Sequence, residues 1–341
     1  MKRTLIIGAG LTGCTIARLL ADSGRDVLVC DQRNHLAGNA YDFTNEHGIV
    51  QHAYGPHIFH TSNAAVVDFL SRFTEWIPYQ HKVKAMLKDG RLVTLPVNRE
   101  TAEIVGKENI IDTFYRPYSE KMWGLPLEQI SPEVLNRVKV REDDNELYFP
   151  EDTFQQMPAE GYTRLVERMV DSERIEVRLG TAADAVDFAD FEHVFYSGAI
   201  DVFFGLRFGP LPYRSIRFTT QHVPVPRLFP TANVNFTHTG AHTRVTEWKH
   251  FPAHGDHPEL TTLTFETPCD YQENNGERYY PVKDADGAFR ALYKQYQELA
   301  EAECPHITFC GRLGNYAYLD MHQAVNSAMK LAQRHLNDHA A

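Results

Sequence analysis

The chain has 341 residues, of which 43% are hydrophobic and 23% charged, a balance typical of a globular protein of about two domains. Its net charge of −11 argues against a nucleic-acid or anionic-membrane binder, because both partners need a basic protein surface. No apolar run reaches the roughly 18 residues of a membrane span, and MKRTLIIGAG at the N-terminus contains no signal-peptide stretch. The five cysteines lack CxxC spacing and predict reduced thiols, so we expect a cytoplasmic protein.

The first thirty residues predict a nucleotide-binding unit. An apolar strand at 4–7 runs into the G-x-G-x-x-G sequence of residues 8–13, and a helix (12–23) and a second strand (26–30) follow. Such glycines let a pyrophosphate approach the backbone N–H groups at the helix N-terminus. Asp31 ends the second strand, where a carboxylate can accept hydrogen bonds from a ribose. The alternative is a glycine-rich turn that binds nothing.

The remaining elements alternate between helical and strand-rich segments. The patterns predict helices at 63–73, 161–169, 287–302 and from 321 onward, and a largely helical segment at 99–138. They predict a hairpin of strands 83–87 and 92–95 around the turn 88–91, strands at 175–179, 194–196 and 307–310, and several strands between 213 and 269. The chain therefore begins and ends in α/β character.

The segment after Asp31 indicates which dinucleotide binds, FAD or NAD. QRNHLAGN resembles the FAD-binding, glutathione-reductase-like flavoproteins, although Ala37 stands where a first glycine is usual. Near the C-terminus, Arg312 can pair with a pyrophosphate. The helix that begins near Met321 can direct its N-terminus at the negative side of a reduced isoalloxazine. These segments together predict FAD as the cofactor. No second G-x-G-x-x-G exists for NAD(P)H, which argues against a pyridine-nucleotide disulfide or quinone reductase.

Longer motifs carry a more specific resemblance. YGPHIFHT (54–61), YSEKMWG (118–124) and YAYLDMHQ (316–323) resemble the UDP-galactopyranose mutase family, as do the shorter GYT, RFG, YRS, NFT, YYPV and GRL segments, in order over nearly the whole chain. The resemblance implies an isomerase that interconverts pyranose and furanose forms of a nucleotide-diphosphate sugar, with UDP-galactose as the default. It implies that reduced FAD attacks the anomeric carbon through N5 and displaces the diphosphate, so a reductant is needed without net redox.

The resemblance also implies the site residues. The cofactor contacts would be Gly8, Gly10, Leu11, Thr12, Gly13, Asp31, Gln32, Arg33, Gly38, Asn39, His57, Ile58, Arg312, Tyr318, Asp320 and Met321. The catalytic candidates are Arg137 and Arg244, which would hold the diphosphate, and His57 and His60, which would lie beside the isoalloxazine. Substrate contacts would be Arg137, Arg244, Tyr118, Trp123, Tyr148, Asn235, Tyr280, Tyr318 and His81. The alternatives are surface arginines and tyrosines that merely pack in the core.

Two groups of histidines invite a metal-site interpretation. His52, His57 and His60 are better explained by flavin contact, and His250, His254 and His257 lie in a Pro/Gly/Asp-rich loop that we expect to be exposed. We therefore predict no metal ion.

The predicted fold class is α/β: a Rossmann-like FAD-binding domain with a small helical insertion and an antiparallel β-sheet domain. The first would comprise 1–80, 151–205 and 284–341, with a hairpin at 81–98, a shortened helical insertion at 99–150 and a sheet domain at 206–283. The stretch between the hairpin and Tyr118 is several helical turns shorter than the family's helical domain, which receives the nucleotide base. The identity of the base therefore stays open.

Three alternatives to the default substrate and function remain. One is the same reaction on another nucleotide sugar, such as a GDP-linked hexose. Another is an FAD-dependent oxidoreductase of the amine-oxidase or hydroxylase kind, and a third is a nucleotide-sugar sensor that needs no flavin. For the mutase we expect a nucleotide sugar and an external reductant as partners, no nucleic acid and no membrane, and a role in cell-surface polysaccharide or glycoside synthesis. The sequence leaves a homodimer open.

Overall fold

The structure is a computed structural model that describes residues 3–130 and 140–338. Elements are numbered in chain order within these ranges. The elements of the first Rossmann unit are β1 (Thr4–Ile7), α1 (Leu11–Asp22) and β2 (Val27–Asp31). They agree with the predicted positions to within one or two residues.

A five-stranded parallel sheet forms the first layer. It has the order β10-β2-β1-β11-β17, with β10 at Ile175–Leu179, β11 at His193–Tyr196 and β17 at Ile307–Phe309. Because these strands are parallel, the carboxyl ends of β1, β2 and β11 meet at one edge. In open parallel sheets this edge is where ligands bind.

Helices α1 and α9 (Met321–Asp338) pack together on one face of this sheet. Their contact consists of small and aliphatic residues, among them Ala17, Leu20, Ala328 and Ala332, all buried. Small side chains allow close approach of the two helices. Helices α2 (Ala64–Leu70) and α5 (Gly161–Val170) complete this core.

The second layer is a seven-stranded sheet with the order β16-β12-β15-β14-β13-β7-β8. Its antiparallel part contains β12 (Tyr213–Val223), β13 (Asn233–Phe236), β14 (Arg244–Glu247), β15 (Thr261–Asp270) and β16 (Tyr280–Pro281). The predicted hairpin, β7 (Val83–Met86) and β8 (Leu92–Leu95), joins this sheet because β7 pairs in parallel with β13. That long-range pairing leaves no trace in local sequence.

Short strands form two further small sheets. β3 (Asp42–Thr44) pairs with β4 (Val50–His52), and β9 (Phe154–Pro158) lies between β5 (Phe59–Thr61) and β6 (Trp76–Pro78). Most of these strands have only three residues, too few for a period-two pattern to stand out.

The segment after the hairpin is helical but broken. It contains α3 (Arg99–Val105), single turns at 107–109, 111–115 and 127–129, and α4 (Arg116–Trp123). Three helices complete the described part: α6 (Ile200–Phe203), α7 (Ala288–Glu303) and α8 (Gly311–Gly314). No helix among residues 3–130 and 140–338 combines the length and apolarity needed to cross a membrane.

Candidate functional site

A cavity of about 360 Å³ opens at the carboxyl edge of the parallel sheet. Of the sixteen predicted cofactor contacts, thirteen lie on its wall, and the exceptions are Ile58, Tyr318 and Asp320. The wall combines the glycine loop after β1, the segment after β2, His57 and the start of α9. The structure thus brings together residues from both ends of the chain.

Glycines shape this cavity because side chains would not fit there. Gly8 has a φ of +108°, and an added Cβ would lie 1.9 Å from the Ser197 Oγ. A Cβ on Gly13 would lie 2.0 Å from the Gly8 carbonyl oxygen, so α1 packs directly on the end of β1. A Cβ on Gly38 would come within 2.9 Å of the Gly10 Cα. The backbone therefore forms a close-fitting cradle.

The start of α1 leaves this cradle suited to a phosphate. No side chain caps the helix at Gly10, and its first turn holds no acidic residue. The Asp31 carboxylate accepts the Ala9 and Arg33 N–H groups at 2.7 and 2.8 Å. A carboxylate has about four acceptor positions, so some remain for ribose hydroxyls. These residues fit FAD, with the pyrophosphate at the helix N-terminus and the ribose at Asp31.

Several residues that line the cavity were not predicted from the sequence. Ser197, Gly198 and Ala199 follow β11, and Glu277 and Arg278 come from the loop before β16. Glu277 pairs with Arg33, whose guanidinium also lies 4.4 Å from the Tyr54 ring. The position of Ser197 at the end of a parallel strand was a usable signal, whereas the loop around Glu277 offered none.

A second group of predicted residues centres on Arg244, in the antiparallel sheet. Arg244 lies opposite Asn235 of β13 and Glu266 of β15, so three adjacent strands place these side chains in one row. The Arg244 Nε lies 2.7 Å from the Glu266 Oε1, although the N–H is not aligned for a hydrogen bond. The buried Asn235 Oδ1 has no hydrogen-bond partner among the described residues. This row therefore retains unused hydrogen-bonding capacity.

Tyrosines connect Arg244 to the cofactor cavity. The charge of Arg244 acts on the partly buried Tyr118 and the buried Tyr280, and Tyr118 in turn lies within electrostatic range of Tyr148 and Tyr318. The Tyr280 and Tyr318 rings stack at 5.3 Å, and the Trp123 ring lies 6.2 Å from that of Tyr280. The cavity residue Arg312 has its guanidinium carbon 5.1 Å from the centre of the Tyr318 ring. The predicted substrate and cofactor residues are thus neighbours.

Helix α4, which carries Tyr118 and Trp123, is fixed by two cations that the sequence analysis missed. The Lys121 Nζ donates to the carbonyls of Phe236, His238 and His242 at 2.9–3.0 Å. Burial lowers the pKa of Lys121 to about 8. From the sheet side, Arg214 donates to the carbonyls of Met122 and Lys121. These bonds hold the two aromatic side chains over the sheet.

The predicted site histidines have different surroundings. Burial lowers the pKa of His57 to about 4, and its Nδ1 donates to the Gly55 carbonyl at 2.7 Å. Burial lowers the pKa of His81 to about 3, and its Nδ1 lies 3.1 Å from the Tyr79 hydroxyl. His60 instead bonds Asp152 at 2.6 Å and stacks on Phe149, and it does not line the cavity. Both His57 and His81 are therefore neutral at pH 7.

One expectation about the histidines was wrong. His254 is buried, and His250 and His257 are only partly exposed; the His254 Nε2 lies 3.0 Å from that of His52. The Pro/Gly/Asp composition suggested a solvated loop, but packing against Trp248 and Phe251 covers the ring. Elsewhere, Glu46, His47 and His222 place ligand-type atoms close together at the surface, where the His222 Nε2 lies 3.2 Å from the Glu46 Oε1. The absence of a metal stays a prediction.

The second diphosphate candidate, Arg137, lies outside the described residues. Of the two arginines that are expected to hold the diphosphate, the structure therefore describes Arg244 and not Arg137.

Comparisons with known proteins agree on one family. A family model described as UDP-galactopyranose mutase matches residues 113–318, and one described as an NAD(P)-binding Rossmann-like domain matches 6–73. The chain is 34% identical to a UDP-galactopyranose mutase of Mycoplasma pneumoniae over 97% of this chain and 95% of that protein. It is 33% identical to a dTDP-fucopyranose mutase of Escherichia coli over 99% of both.

A crystal structure of reduced UDP-galactopyranose mutase has the same fold. Its TM-score is 0.79 at 17% identity, with coverage of 100% of this chain and 97% of that one. The alignment with the M. pneumoniae protein spans 382 positions, more than the 341 residues of this chain, so parts of that relative have no counterpart here.

Proposed function

Because the chain belongs to the UDP-galactopyranose mutase family, it is a pyranose–furanose mutase with FAD as cofactor, and we propose that its substrate is UDP-galactose. When bound and reduced, FAD supplies a nucleophilic nitrogen, N5, for the anomeric carbon of the sugar. The protein must then hold the departing nucleotide diphosphate close to the flavin until it rejoins the sugar.

The observation that carries this proposal is the state of Arg244. Its Nε is paired with the Glu266 carboxylate at 2.7 Å, and among the described residues its terminal N–H groups show no hydrogen-bond acceptor. A planar guanidinium has five N–H donors and matches phosphate oxygens well. Pre-arranged donors in a partly water-excluded site stabilise the charge that develops on a departing diphosphate.

Tyrosine hydroxyls surround the same place. Tyr118 and Tyr280 lie within electrostatic range of Arg244, and burial raises the pKa of both phenols, so they stay protonated and can donate to phosphate. Arg312 then lies on the cavity side of Tyr280 and Tyr318. We infer that the diphosphate lies between Arg244 and Arg312 and the sugar toward His57.

The nucleotide base is the part of the substrate in which the relatives differ. The relatives include a UDP-sugar and a dTDP-sugar mutase at nearly equal identity, so overall similarity does not choose between these nucleotides. The described part of the helical segment contains no α-helix longer than the eight residues of α4. Tyr118 and Trp123 supply aromatic faces on which any base can stack.

The experiment is a substrate panel. Dithionite-reduced, FAD-loaded protein is incubated anaerobically with UDP-, dTDP- and GDP-linked hexoses, and the products are separated chromatographically and identified by NMR. We expect ring-size isomers from at least one nucleotide sugar, with UDP-galactose among the substrates. Conversion of dTDP- or GDP-sugars alone would contradict UDP-galactose as substrate. Oxidised sugar products would favour the flavin oxidoreductase.

A further inference from the structure

Two buried imidazoles form a direct hydrogen bond behind the cofactor cavity. His52, at the end of β4, is 2% exposed, and His254 is 5% exposed. Their Nε2 atoms lie 3.0 Å apart. On the other side of each ring, the His57 backbone N–H lies 2.9 Å from the His52 Nδ1, and the His254 Nδ1 lies 2.8 Å from the Pro252 carbonyl oxygen.

The partners fix where the protons lie. A carbonyl accepts only, so the His254 Nδ1 must carry a hydrogen, and an amide donates only, so the His52 Nδ1 must not. The remaining proton is on the His52 Nε2, which donates to the His254 Nε2. The three hydrogen bonds run in one direction, and the arrangement is complete only when both rings are neutral.

The surroundings of the pair are mostly aromatic. The rings of Trp248, Tyr162 and Phe251 lie 5.1, 5.6 and 6.1 Å from that of His52, and Trp248 and Phe251 also contact His254. The titratable groups that face the pair are His57, Tyr162 and Asp42, the residue paired with His52 across the β3–β4 hairpin. Asp42 already accepts the N–H groups of Tyr162 and Thr163 at 2.6 and 2.9 Å. Burial lowers the pKa of both His52 and His254.

The pair is connected to the cofactor cavity through the backbone of one residue, His57. His52 accepts the N–H of His57, while the Tyr162 hydroxyl donates to the His57 carbonyl at 3.1 Å. Between His52 and His57, Gly55 with a φ of +84° makes the turn that brings His57 onto the cavity wall.

We propose that His52 and His254 are positioning residues, whose hydrogen bonds present His57 to the flavin while both rings are neutral. The role of His57 beside the flavin rests on the proposed function. A second proton on His254 would set two N–H groups against each other, and one on His52 would oppose the His57 N–H. A protonated His254 can donate to the His52 Nε2 only if the His52 proton moves to Nδ1, so either event places a hydrogen opposite the His57 N–H and shifts residues 52–57 locally.

The test uses bound FAD as the reporter. Absorption spectra and midpoint potentials of the FAD-loaded protein are measured from pH 8 to pH 4 for the wild type, His254→Gln and His254→Phe. Gln keeps an oxygen that accepts the His52 N–H and does not titrate, whereas Phe leaves that N–H without an acceptor. His257→Gln, in the same loop but outside the pair, is the matched control, and FAD content and Tm are recorded for all variants.

We expect the wild type and His257→Gln to show a spectral transition below the ordinary histidine pKa, before FAD is released. His254→Gln should shift its midpoint at least one pH unit lower, and His254→Phe should lower the Tm because the buried His52 N–H then has no acceptor. Lack of a transition in the wild type, or a wild-type midpoint in His254→Gln, would overturn the proposal. If His254→Phe does not fold, His254→Gln decides the question. No nucleotide sugar is present, so failure of the proposed function is seen separately in the substrate panel.

Discussion

The cofactor cavity and the Arg244 row are neighbours in space but differ in how they are encoded. The cavity depends on a contiguous glycine motif in which steric clashes exclude larger residues, because a Cβ would meet the Ser197 side chain at Gly8 and the Gly8 carbonyl oxygen at Gly13. The row is assembled from three strands, with Asn235, Arg244 and Glu266 brought into register by the antiparallel sheet. Substitutions in the first region should therefore affect holoenzyme formation, and those in the second should affect turnover alone.

The largest effect is expected for Gly13→Ala. Its methyl group would meet the Gly8 carbonyl oxygen at 2.0 Å, a backbone atom that cannot move aside. Overpacking of this kind costs about 1–3 kcal/mol or more, at the place where FAD binds. We expect a lower Tm and loss of bound FAD, measured by thermal unfolding and flavin absorbance.

Gly10→Ala is the matched comparison, since its methyl group would lie 3.7 Å from the Gly38 Cα, an ordinary contact. It should weaken FAD binding without the loss of packing, so its Tm should fall less than that of Gly13→Ala. Equal Tm values for Gly10→Ala and Gly13→Ala would contradict the close packing of α1 on β1.

Arg244→Ala should have the next largest effect. Loss of a charged hydrogen bond to phosphate typically costs about 1.5–3 kcal/mol, so kcat/KM should fall by about 10- to 150-fold. FAD content should stay normal because Arg244 is not on the cavity wall. The measurement is steady-state kinetics of the reduced enzyme.

Arg217→Ala serves as the control for Arg244→Ala, since Arg217 lies on β12 of the same sheet and is half-exposed. Unchanged kinetics in Arg244→Ala would remove the arginine from the substrate site. Arg137→Ala is expected to behave like Arg244→Ala, and its kinetics test the clamp residue outside the described ranges.

The same contrast explains what the sequence could predict. The elements around residues 4–31 and the helices at 161–170, 288–303 and 321–338 were predictable, because periodicity and glycine position are local signals. The Glu277–Arg33 pair, the parallel β7–β13 pairing and the Lys121 anchor depend on contacts between distant segments. The Arg244 row was reached through the family resemblance, and its partner Glu266 was missed because a buried carboxylate in a strand has no sequence signature.

The shortened helical segment predicts weak base selectivity. A base pocket gains specificity from edge hydrogen bonds worth about 1–3 kcal/mol each, and stacking on Tyr118 and Trp123 adds little discrimination. We expect UDP and GDP to compete for the reduced enzyme with affinities less than about a hundredfold apart, or 2.7 kcal/mol. Tighter discrimination in favour of UDP would show that the short segment still builds a uracil pocket.

The smallest effect concerns pH and stability. The folded pKa of His81 is about 3, below the unfolded value near 6.5, so the unfolded chain takes up its proton first as the pH falls. The stabilisation from this histidine is complete above about pH 6.5 and is lost as the pH falls toward 3. The slope is at most about 1.4 kcal/mol per pH unit.

Urea unfolding of the holoenzyme at pH 7, 6 and 5 measures that slope. His81→Gln, which cannot titrate in this range, should be less sensitive to acid than the wild type. Parallel pH profiles for the two proteins would show that His81 is not the buried neutral group described above.

The central claim is that FAD takes part in this reaction without being consumed. The most direct measurement follows flavin absorbance and product together, after anaerobic reduction and addition of UDP-galactofuranose. The account predicts many turnovers to UDP-galactopyranose per flavin, with FAD reduced throughout and no further reductant used. Flavin reoxidation in step with sugar conversion, or equal turnover with oxidised FAD, would contradict it.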